Sequence, residues 1–110
     1  MAKDLRTFIA DCQRELPGEV IHIKKEVNPA NYDVTAIIKH LGAQKKFPII
    51  IFDNPLNLNG KVGPIKLTMN CEISQGKTQI ALGLPKDASR PKMAEKCLEM
   101  EEHRIPPTIV

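Results

Sequence analysis

The sequence predicts an α+β domain: a small mixed sheet of about three strands packed against about four helices, in the order α-β-α-β-β-α-α. Three observations predict it. Apolar residues recur at spacings of three and four in four separate stretches, as on the buried face of a helix. Two stretches alternate apolar with polar residues, and a third, 47–52, is apolar on both faces, as a central buried strand is. Clusters of proline, glycine and asparagine separate them.

Taken in order, Asp4 is placed to cap a first helix whose stripe is Leu5, Phe8, Ile9, Cys12 and Leu16, and Pro17-Gly18 stops it. Residues 20–27 read as a strand, with Ile21, Ile23 and Val27 on one face and His22, Lys24 and Glu26 on the other. Asn28-Pro29 breaks it. Asp33 is expected to cap a second helix carrying Val34, Ile37, Ile38 and Leu41, with Gly42 as its stop. Asp53-Asn54-Pro55 ends the central strand, and Asn59-Gly60 is a hairpin signal. Ile65, Leu67 and Met69 alternate with Lys66, Thr68 and Asn70 and predict a third strand. Ser74 caps a short helix with Ile80, Ala81 and Leu84, ended by Gly83-Leu84-Pro85. Ser89 caps the last helix, with Pro91 in its first turn and Met93, Ala94, Cys97, Leu98 and Met100 as its apolar positions. Thr108, Ile109 and Val110 then read as the start of a strand after Pro106-Pro107.

Composition excludes several classes. With 110 residues, 42% apolar and 26% charged, the chain suits one folded domain and not a disordered segment. The longest apolar run is far short of the ~20 residues a bilayer span needs, and no signal-peptide region opens the chain, so the expected compartment is the cytoplasm. Three widely spaced cysteines, Cys12, Cys71 and Cys97, fit reduced thiols better than a disulfide framework. The net charge of +3 comes from scattered pairs such as Lys24-Lys25 and Lys45-Lys46, which read as a solvated surface.

No complete active site emerges from the motifs. Gly76-Lys77-Thr78 sits between a strand and a helix, where a phosphate loop would lie. A wrapping loop also needs a glycine five residues before Gly76, and that position is Cys71. The simpler reading is a helix N-terminus with an exposed lysine. His22, His40 and His103 lie on three different elements. Glu99 and His103 share a helical face, at a spacing that fits two ligands or an ordinary surface pair. Cys12 and Cys97 fall on apolar stripes and read as core, leaving Cys71 as the one candidate nucleophile, with no base placed beside it. Phe8, Phe47 and Phe52 also read as core and Tyr32 as exposed, so nothing offers nucleic acid a stacking platform.

In sum the segments resemble the UbiD family of reversible decarboxylases. Asp4-Leu5-Arg6-Thr7-Phe8-Ile9 is similar to that family's "D-L-R-x-F-I" opening. Gly18-Glu19-Val20-Ile21-His22-Ile23-Lys24-Lys25-Glu26-Val27-Asn28-Pro29 resembles its "G-E-L-x-x-I-x-x-E-V-D-P" strand, and Val34-Thr35-Ala36-Ile37 its second helix. Pro48-Ile49-Ile50-Ile51-Phe52-Asp53-Asn54 is similar to "P-A-L-L-F-x-N". Ser74 through Ala81-Leu82-Gly83-Leu84 resembles "S-R-x-x-x-A-L-A-L-G-L", and Pro106-Pro107-Thr108-Ile109-Val110 the "P-P-x-x-V" that leads onward. Tyr32-Asp33 departs from a frequent Leu-Glu, and Lys77 stands near a usual arginine or other polar residue. The substrate class is left open.

The resemblance implies that residues 1–105 are the N-terminal domain and 106–110 the start of the passage into a cofactor-binding domain. The family's enzymes are several times longer. They hold prenylated flavin mononucleotide in a later split β-barrel, with a divalent metal, often manganese, bridging its phosphate to protein. An arginine and two glutamates do the acid–base work, all beyond the Pro-Pro segment. No catalytic, cofactor-binding or metal residue is therefore assigned within 1–110. The implied partners are the later domains of a homo-oligomeric parent enzyme. That parent would decarboxylate aromatic or α,β-unsaturated acids. The alternative reading is a free-standing module that binds an anionic ligand or a protein partner.

Overall fold

The computed structural model describes residues 4–71 and 73–110; Met1–Lys3, which open the predicted domain, and Glu72 lie outside the described residues. The elements are α1 (Leu5–Glu15), β1 (Val20–Ile23), α2 (Asp33–Ala43), β2 (Ile49–Phe52), β3 (Leu67–Met69), α3 (Gln75–Ala81) and α4 (Arg90–Glu102), with a 3-10 turn over Pro29–Asn31. The α+β class and the element order agree with the sequence reading.

The sheet is built around β2, whose four residues are all buried. β1 pairs with it in parallel, Val20 opposite Ile49 through Ile23 opposite Phe52. β3 pairs with it antiparallel, Ile50 opposite Met69 and Phe52 opposite Leu67. A parallel neighbour needs a crossover, and α2 supplies it. Side chains alternate across β2, so one apolar strand serves two cores. Ile49 and Ile51 pack with Phe8 and Cys12 of α1 and Ile80 of α3. Ile50 and Phe52 pack on the other face with Val27 and with Val34 of α2, beside Ile37, Ile38 and Leu41. Each such side chain taken out of water contributes about 1.5–3 kcal/mol.

Caps set the helix limits. Asp4 accepts the Thr7 N–H at 2.8 Å, Ser74 that of Lys77 at 3.3 Å and Ser89 that of Lys92 at 3.4 Å, each as predicted. α3 ends at Gly83, which takes φ +77° while the Leu84 N–H reaches back to the Gln79 carbonyl at 2.8 Å. That left-handed stop is what glycine permits without steric cost.

Several expectations need correction. Gly42 does not stop α2. The helix runs to Ala43, and Lys45 takes the left-handed position instead, at φ +57°. The Lys46 N–H then bonds the Leu41 carbonyl at 2.9 Å, closing the same motif that Gly83 closes on α3. Asp33 is the first residue of α2 and not its cap. The cap position is Tyr32, at φ +62°, and the Asp33 carboxylate turns back to accept the Asn28 N–H at 2.7 Å. The strand expected over 20–27 ends at Ile23, because Lys25 bends the chain before Val27 rejoins as a single bridge to Pro55. The Asn59-Gly60 turn closes only one antiparallel bridge, Leu56 to Val62, within a long excursion between β2 and β3. Phe47 is 41% exposed and so is not core.

The largest departure is α4. Its cap and proline are where the sequence put them, yet none of its residues is buried. Leu98 and Met100 are 66% and 52% exposed, and Cys97 is exposed rather than core. Thr108, Ile109 and Val110 form no strand. The total accessible surface is 8446 Å², against about 6,100 Å² for a compact monomer of this mass.

Candidate functional site

Lys77, expected on the surface, has no solvent exposure at all. It lies in the first turns of α3, where helical geometry turns it towards the sheet and not to solvent. Its Nζ donates to the Phe47 carbonyl just before β2 and to the Ile73 carbonyl at 3.4 Å. The Glu19 carboxylate lies 3.5 Å away, just before β1. A buried ammonium needs such partners. Lys77 therefore ties the starts of both parallel strands to α3. Its three contacts use the donors a phosphate would need, so the Gly76-Lys77-Thr78 segment is a structural joint.

A second polar group spans the opposite, C-terminal end of the parallel strands. His22 Nδ1, on β1, lies 3.2 Å from Asp53 Oδ2, just beyond β2. Lys66 Nζ, just before β3, lies 3.1 Å from Asp53 Oδ1. One carboxylate thus links all three strands. The hydrogen bond from Lys66, helped by His22, holds the Asp53 carboxyl below its usual range against the opposing effect of burial. Sequence reasoning placed His22 on a polar strand face but did not join it to Asp53. The signal would have been the β1–β2 register, which a single sequence does not state. An aspartate paired with a histidine can orient a base. Here Lys66 takes part of the same carboxylate, and no nucleophile stands beside the ring among the described contacts.

The remaining candidates disperse. Cys71 packs as a half-buried apolar side chain against the α1–α3 core. His103 Nδ1 lies 2.9 Å from the Glu99 main-chain carbonyl, so the ring is used on its own helix. His40 Nε2 lies 3.1 Å from Gln44 Nε2. Among the described residues, no three His, Cys, Asp or Glu side chains gather to hold a metal ion.

What the surface offers is apolar. A cavity of about 400 Å³ is lined by Pro29, Pro55, Leu56, Pro64, Ile65 and Leu67. Leu58 is 99% exposed near it in sequence, and α4 presents its own unburied stripe.

The comparison with known families decides the relation. The model for the 3-octaprenyl-4-hydroxybenzoate carboxy-lyase N-terminal domain, UbiD_N, matches residues 12–97. The chain belongs to the UbiD_N family. No curated protein and no solved structure matches it. The UbiD_N match takes in the α2-side core, the first core apart from Phe8 and Ile9, the Lys77 joint and the His22–Asp53–Lys66 link, so these are parts of the family domain itself. It ends within α4, at Cys97. No helix is long and apolar enough to cross a membrane among the described residues.

Proposed function

We propose that residues 1–105 act as the N-terminal structural domain of a UbiD-like carboxy-lyase, and that residues 106–110 begin the passage into its cofactor-binding domain. The parent would release carbon dioxide from an aromatic or α,β-unsaturated acid. Prenylated flavin mononucleotide, with a divalent metal such as manganese, would supply the electron sink there. The observation that carries the reading is the UbiD_N match over residues 12–97. The chain exposes about 2,300 Å² more than a compact monomer of its mass. The uncovered face of α4 and the exposed stretch 101–110 contribute to it.

The residues described here do not fit the flavin phosphate and its metal. Among the described residues no set of three metal-ligating side chains converges, and Lys77 is committed to carbonyl oxygens and Glu19. The domain's own residues therefore fold a scaffold and present a face. On this reading catalysis belongs to the later domains of the parent enzyme.

The test uses the 110-residue chain in a host that makes prenylated flavin. The expected result is a purified protein without flavin absorbance and without carbon dioxide release from an aryl acrylic acid. Flavin retained through gel filtration would overturn the assignment.

A further inference from the structure

The charges on α4 run against its own dipole. Arg90, Lys92 and Lys96, with the single acid Glu95, lie in its N-terminal half, and Glu99, Glu101 and Glu102 in its last turn. The first turn carries no acid and the last no base. A helix standing alone is favoured by the reverse arrangement. At 100° per residue, Met100, Met93, Cys97, Ala94 and Leu98 fall within an arc of about 160°. Arg90 and Glu101 lie inside that arc, one at each end of the helix; Glu101 is paired within the chain to Arg104, an exposed contact that Arg90 of a second copy has to displace or share. Of the apolar set only Met93 is half-buried, through a contact with Gln79 on α3.

From this polarity we infer that α4 is a self-association surface, on which α4 of a second copy of the chain lies antiparallel. An antiparallel copy sets the basic half of each helix against the acidic half of the other. Placing Arg90 opposite Glu101 of the second copy also puts Met93 opposite Leu98 and Ala94 opposite Cys97. The two-fold axis then passes between Glu95 and Lys96. Both ion pairs form by symmetry, because such an interface is self-complementary. Small side chains near the axis let the helices approach to about 8–10 Å. The inference goes beyond membership of a larger enzyme, for which α4 needs only some apolar neighbour. The charge pattern selects a copy of itself. A contact of three to four helical turns is below the standard interface size, so the dimer is expected to be weaker than about 1 µM.

Sedimentation equilibrium of the 110-residue chain tests this. The expected result is a monomer–dimer equilibrium that shifts towards monomer as salt rises. Arg90→Glu alone and Glu101→Arg alone each put like charges face to face twice. Each should weaken the dimer by about tenfold or more. The double variant Arg90→Glu/Glu101→Arg restores opposite charges and should restore the dimer. Both single changes also improve the helix's own dipole, so lost association with retained circular dichroism is not unfolding. A wild-type chain that stays monomeric at hundreds of micromolar, or single variants that associate as well as wild type, would overturn the inference. In the monomeric case the face is left to the enzyme's later domains.

Discussion

Lys77 Nζ donates to the main-chain carbonyl of Phe47, thirty residues earlier in the chain, at the point where the path enters β2. This places a fully buried lysine between two strands and a helix. Removing the donor takes away the partner of a part-buried carbonyl, which costs about 1–3 kcal/mol. Lys77→Met keeps most of the stem's volume and should lower the unfolding free energy by that amount, seen as a lower urea midpoint. Lys77→Ala should cost more, since it adds a cavity. A Lys77→Met chain that unfolds at the wild-type midpoint would show that these bonds add nothing over water.

The contrast between Lys77 and Asp4 shows what the sequence could express. A cap such as Asp4 acts on Thr7 three residues away, so its signature is local and was legible. The two-sided burial of β2 was legible too, because a strand without polar positions has no face for water. Lys77 was misread because its partners, Phe47 and Glu19, are far off in the chain. A lysine near a helix start looks the same whether it meets solvent or a carbonyl. His22 and Asp53 were missed for a related reason: their meeting depends on β1 lying beside β2 in one register. On α4 the spacing gave the helix correctly but could not say that its stripe would be left uncovered.

The Asp53 carboxylate gives the fold an acid-sensitive link. Its pKa is depressed below 3.8 first by the Lys66 hydrogen bond and then by His22. The folded state thus binds the proton less readily than the unfolded chain. The contribution is fully present above the unfolded value and is lost as pH falls through the folded one. Asp53→Asn should be less stable than wild type at neutral pH. The gap should close below about pH 3.8 and shrink at high salt, since Lys66 is largely exposed. Urea midpoints of both chains across that range are the measurement. A gap independent of pH would place the effect in packing and not in charge.

Core and α4 should respond very differently to the same kind of truncation. Phe52 has no exposed surface and sits in the α2 core, so Phe52→Ala should cost about 3–5 kcal/mol. Leu98 is 66% exposed, so Leu98→Ala should change stability by no more than about 0.5 kcal/mol. The comparison belongs at low micromolar protein or below, where association through α4 does not contribute. A large loss at Leu98 under those conditions would mean that α4 packs on the domain more tightly than its exposure indicates.

Lys45 and Gly83 hold the same position, one residue past a helix cap, in the same left-handed conformation. In each case the next N–H closes back on a carbonyl five residues earlier. A side chain with a Cβ is strained there by about 1–2 kcal/mol. Glycine avoids the strain but loses more chain entropy on folding, by roughly 0.5–1 kcal/mol. Lys45→Gly should therefore raise stability by about 0.5–1 kcal/mol. Gly83→Ala should lower it by a similar amount, with no steric term, since a Cβ there meets nothing within 4 Å. Thermal melts of the two variants should move in opposite directions from wild type. If Lys45→Gly melts lower, the Lys45 side chain holds the α2–β2 connection through contacts that outweigh its backbone strain.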